Sequence, residues 1–141
     1  MNTLVGDLTL FIQVCDKPRM FTQSSRYEIV CAYLSGYDAA LRGECLSGFG
    51  RWLLSESDEF LPLPWWAMIR KKLIPDADPT GPLTDEESEA ARLSLKGLLE
   101  QYKGQLEKYG LEGAHYKFVL WVRRKRDNAT ADMRQRFREL G

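Results

Sequence analysis

Thr84-Asp85-Glu86-Glu87 opens the stretch that most constrains the fold of this chain. The threonine and Glu87 stand three residues apart, the capping-box spacing in which each side chain satisfies the other's orphan backbone N–H. The acids suit the positive end of a helix dipole. Behind them Ala91, Leu95, Leu98, Tyr102, Leu106 and Tyr109 recur at steps of 4, 3, 4, 4 and 3. That is the period of one helical face, and Gly110 ends it. The spacing predicts a helix over 84–109, the longest in the chain.

The same period runs through the preceding residues. Leu4, Leu8, Phe11, Ile12 and Cys15 predict a helix over 3–15, stopped by Asp16-Lys17-Pro18 because proline pushes its predecessor out of helical space. Ser25 and Glu28 have capping-box spacing and open a helix over 25–41 with Tyr27, Val30, Leu34, Tyr37 and Leu41 inward. Ile29, Cys31 and Tyr33 widen that stripe, which makes this helix the expected centre. Gly36 inside it implies close approach of another backbone, since glycine costs a helix about 1 kcal/mol against alanine. Cys45, Phe49, Trp52 and Leu53 mark a helix over 45–54. Ser55 to Glu59 is a polar loop. Pro64 suits a first helical turn, and Trp65, Met68, Ile69 and Leu73 predict a helix over 64–74.

Residues 75–83 hold three prolines and a glycine and form a Pro-rich loop. The continuous apolar run Phe118–Val122 fits a buried strand or a buried helix. A lone strand has no pairing partner among helical neighbours, so a helix over 114–125 is expected. Thr130 then caps a last helix over 130–140, with Met133, Phe137 and Leu140 inward. The expectation is all-α: a compact single-domain bundle of six to seven helices around Tyr27, Leu34, Tyr37, Trp52 and Leu98. A length of 141 residues suits one domain with its own core.

Composition narrows the chemistry. No run of 18 apolar residues spans a membrane. The N-terminal segment has Asp7 within it and no basic lead, unlike a secretory signal. Cys15, Cys31 and Cys45 are odd in number and lack disulfide or zinc spacing, which implies reduced, buried thiols and a cytoplasmic setting. His115 is the one histidine, so no metal site and no cofactor is expected. A Cys–His nucleophile pair is possible only if a thiol leaves its apolar face. No phosphate loop, dinucleotide fingerprint or nucleophile elbow appears. The adjacent carboxylates Asp58-Glu59 and Glu86-Glu87 fall in a loop and a first turn, where solvated or capping roles are the rule. The expectation is a chain that is not an enzyme.

Charge is balanced overall, at twenty basic and twenty acidic residues, but not along the chain. Residues 76–113 carry four basic and nine acidic groups, a net of −5; residues 114–141 carry eight and three, a net of +5. The two segments either pack together and cancel or face a partner of opposite sign. The acidic candidates for partner binding are Asp76, Asp78, Asp85, Glu86, Glu87 and Glu89. The alternative set is Trp66, Arg70, Arg123, Arg124 and Arg126. On a helix Trp66 points about 100° away from Trp65 and toward Arg70. An aromatic beside an arginine is a common interface anchor, and covering a second part of the core is the plainer role. The basic segment, with Arg134, Arg136 and Arg138, also suits phosphates, although it lacks any recognised nucleic-acid module.

Asp16-Lys17-Pro18-Arg19-Met20-Phe21, then Ser25, then Leu34-Ser35-Gly36-Tyr37-Asp38-Ala39-Ala40-Leu41, then Phe49-Gly50-Arg51-Trp52 resemble a set of small uncharacterised bacterial proteins. These share the phrases R-P-x-M-Y, F-L-x-G-Y-x-x-A and F-x-x-W. The resemblance covers roughly residues 8–54. This chain has Lys17 where arginine is usual and Phe21 where tyrosine is usual. Some members are encoded beside polymorphic toxins, so the resemblance implies an immunity protein that neutralises a cognate toxin by binding it. The turn at Pro18 to Phe21 is expected to fold the second helix back on the first, with Met20 and Phe21 plugging the junction.

Overall fold

The computed structural model describes residues 3–57 and 63–140, the side chains of Thr3 and Leu140 excepted. The elements are α1 (Thr3–Asp16), a 3-10 turn (Pro18–Met20), α2 (Tyr27–Ala40), α3 (Glu44–Ser55), α4 (Trp65–Leu73) and α5 (Asp85–Leu140). No strand occurs among the described residues, so the all-α class holds and the run Phe118–Val122 is helical. The helices number five among the described residues, against the six to seven expected. The difference lies in α5, which joins the three helices expected over 84–109, 114–125 and 130–140; Gly110 breaks the first from the second, as its position indicates, while the other two run on as one. A break was expected between 125 and 130 with Thr130 as a cap. Thr130 instead donates its hydroxyl to the Arg126 carbonyl at 3.1 Å, one turn back inside a continuing helix.

α5 is interrupted once, at Gly110, with φ 73° and ψ 174°. That backbone region is open essentially to glycine alone. The kink also brings Gly113 against the preceding turn: a Cβ there would lie 2.7 Å from that of Tyr109.

The Thr84 capping box forms as expected: Glu87 N–H donates to Thr84 Oγ1 at 3.1 Å and Thr84 N–H to Glu87 Oε1 at 2.9 Å. The Ser25–Glu28 box does not. α2 starts at Tyr27, two residues later than expected, and the Tyr27 N–H donates to Ser88 Oγ of α5 at 2.8 Å. Glu28 pairs instead with Arg26 Nε at 2.9 Å. The start of α2 is thus fixed by a tertiary contact in place of a local cap.

The core joins all five helices: Leu8, Phe11 and Val14 of α1, Val30 and Leu34 of α2, Phe49 and Trp52 of α3, Ile69 of α4, and Leu95, Leu99 and Tyr102 of α5. The centre is α5 rather than α2, because α1, α2, α3 and α4 all pack on it. Of the expected core, Tyr27, Leu34, Trp52 and Leu98 are buried. Tyr37 is half-buried, its ring edge-on to Phe11 at 5.8 Å. Ile29 and Leu41 are exposed, and Gly36 faces open space, not another backbone. In the turn, Pro18 is buried and Phe21 tilts against Tyr33, but Met20 points out. Met133 and Phe137 also point out, contrary to expectation.

Candidate functional site

The nucleophile candidates are held inert by burial. Cys15, Cys31 and Cys45 are all buried free thiols. Desolvation raises Cys15 and Cys45 from near 9 to about 12, and raises Cys31 as well. His115 is exposed and lines a cleft of about 150 Å³ with Arg51 and Trp52, a cleft that none of the three cysteines lines. Among the described residues no three of His, Cys, Asp and Glu gather as a metal site. Asp58 and Glu59 lie outside the described residues.

Five of the six acidic candidates are exposed and Glu87 is half-buried, but four of the six carboxylates are engaged. Asp78 Oδ1 accepts the Thr80 N–H at 2.9 Å and its hydroxyl at 2.7 Å, which lowers its pKa. Asp85 accepts Arg26 Nη1 at 2.7 Å, and the same guanidinium reaches the Leu83 carbonyl. Glu87 completes the capping box and is lowered by the Thr84 N–H. Glu89 sits 3.7 Å from Arg92. Asp76 and Glu86 are exposed and make no side-chain bond among the described residues.

The basic segment does not fold onto the acidic one. Trp121 is its last anchor: the ring is buried, and Nε1 donates to the Ser57 carbonyl at 2.8 Å. Phe118 stacks beside it at 6.0 Å. Beyond Trp121, α5 continues as an arm. Its side chains are exposed through Glu139 except the half-buried Lys125, whose ammonium sits over the Trp121 ring. The arm is roughly 28 Å long at 1.5 Å per residue. Val122, Arg126, Ala129, Met133 and Phe137 follow at steps of 4, 3, 4 and 4 on one face. Arg123, Arg124, Arg126, Arg134, Arg136 and Arg138 pair with no carboxylate among the described residues. Residue spacing groups Met133 and Phe137 on one face but does not show that the core ends before them.

Trp66 and Arg70 occupy one pocket rather than an exposed patch. Trp66 is half-buried, and its carbonyl accepts the Tyr27 hydroxyl at 2.7 Å. Arg70 is 8% exposed, and its Nη2 donates to the Gly81 carbonyl at 2.6 Å. Arg123, Arg124 and Arg126 are on the arm, so the alternative set is split between two places. No helix among the described residues is long and apolar enough to cross a membrane. No protein-family model matches the chain, and neither a curated protein nor a solved structure matches it.

Proposed function

We propose that the chain is a non-enzymatic protein-binding module that grips its partner with the helical arm beyond Trp121. One observation carries this reading: Met133 and Phe137, 60% and 71% exposed, share a helix face that nothing in the described chain covers. Apolar side chains aligned in water gain free energy when a partner covers them. By helical geometry Arg123 and Arg134 border the stripe on one side and Arg136 on the other. They steer the arm toward an acidic protein surface. The same arginines suit phosphates, but phosphate contact leaves Met133 and Phe137 without a role.

In its most concrete form, drawn from the resemblance of residues 8–54, the partner is a cognate bacterial toxin whose active site the module covers. Asp76 and Glu86 then offer a second contact to a basic region of that toxin.

The test is a pull-down from the native host with the unaltered chain and with a Met133→Asp, Phe137→Asp variant. Loss of a captured protein in the variant, with helix content unchanged, supports the reading; equal capture overturns it. Binding of the arm to random-sequence DNA at about 50 mM salt, or to anionic vesicles, in preference to any protein also overturns it. If the captured partner is basic, Asp76→Lys with Glu86→Lys slows association at low salt.

A further inference from the structure

Arg70 carries a buried charge that no carboxylate of the described residues meets in contact; Asp78 and Glu87 act on it only from longer range. Its side chain is among the few buried charged groups, and its single hydrogen bond is to the neutral Gly81 carbonyl. Nε is sealed from solvent and has no acceptor. No ion pair among the described residues includes it. A buried guanidinium normally meets a carboxylate or phosphate, because desolvating it without a counter-charge is costly. Here the guanidinium borders a half-open cavity of about 330 Å³ between α2, α4 and the 75–83 loop. Tyr27, Cys31 and Trp66 supply apolar walls, and Ser35 and Thr80 supply hydroxyls. Glu28 also borders the cavity, with its carboxylate held by Arg26 Nε at 2.9 Å.

We infer that this cavity is a binding site for a small aromatic carboxylate, its anionic end on Arg70 and its ring against Trp66 and Tyr27. The volume is at the small end for ligand pockets, near 300 Å³. One guanidinium matches one negative charge, and its fork fits a carboxylate. A phosphate dianion needs further cations, and the cavity lining holds no lysine and no second arginine. The site stands apart from the arm and does not rest on the reading of it.

The experiment is a titration of the full chain with phenylacetate, with phenylacetamide as the uncharged isostere, followed by NMR. The Arg70 Nε–H and the Trp66 indole N–H are the reporters. The expected result is a saturable shift of both signals by phenylacetate with a Kd of about 1 mM and binding of the amide at least tenfold weaker. Arg70→Gln removes the preference for the acid. Ala32→Phe plugs the cavity from the exposed rim of α2 without touching the core, and weakens phenylacetate at least tenfold. If Arg70→Gln does not fold, Ala32→Phe carries the test. Equal response to acid and amide, no response, or full binding in Ala32→Phe overturns the site.

Discussion

Asp38 is the residue whose role is hardest to guess from its neighbours. It lies within α2 yet is buried, and its carboxylate accepts the N–H groups of Cys45 at 3.1 Å and Leu46 at 3.2 Å. It thus caps α3 from another helix, since Gly43, the residue before α3, has no side chain to do so. Asp38→Ala leaves these N–H groups without their acceptor, and an expected loss of about 1–3 kcal/mol is readable by urea denaturation. The buried thiols make a second residue-scale prediction. Unfolded thiols ionise from near pH 9, whereas folded Cys15 and Cys45 hold their protons to about 12. The unfolded state therefore binds fewer protons in that window, and stability falls as pH rises, by about 1.4 kcal/mol per pH unit for each thiol. Cys15→Ala, Cys45→Ala protein should show a shallower alkaline decline. At the acid end, Asp78 and Glu87 are held below their usual range by the N–H groups of Thr80 and Thr84. The stability they confer is present above about pH 4–5 and lost as pH falls through their folded values.

At the scale of elements, the stripes were legible wherever period and burial coincide. In α5, Ala91, Leu95, Leu98, Tyr102 and Leu106 are all buried as their spacing indicates, whereas Tyr109, the last of that stripe, is exposed. Local signals failed where a distant group intervened. Ser25 and Glu28 have the spacing of a local capping box, yet the start of α2 is held by Ser88, which accepts the Tyr27 N–H, and sequence spacing carries no record of a contact 61 residues away. Gly36 and Gly110 separate by the same logic. Gly36 is an exposed helical glycine with empty space at its Cβ, so Gly36→Ala should stabilise the fold by about 0.5–1 kcal/mol. Gly110 holds φ 73°, so Gly110→Ala should cost about 1–3 kcal/mol and straighten or misplace the helix that follows. Thermal denaturation of the two variants side by side checks both signs. The candidate sites were less legible than the helices. Trp66 and Arg70, one helical turn apart, line the same cavity, but the inward turn of Arg70 depends on the Gly81 carbonyl from a loop that no period describes.

For the whole molecule, the apolar pattern continues past the core that uses it. Phe137 and Phe11 have the same side chain, yet one stands in water and the other has no exposed surface. Composition cannot distinguish them; only the point where the other helices end does. Removing residues 127–141 should therefore leave the melting temperature within about 2 °C, because the side chains of residues 127–139 add almost no burial. A larger fall would mean that the arm supports the core.

Trp121 thus marks a frontier in how freely the protein can change. Upstream, most substitutions are filtered by the requirement to fold; downstream, they are nearly exempt. New contact chemistry can accumulate along those last turns without unsettling the scaffold that presents it.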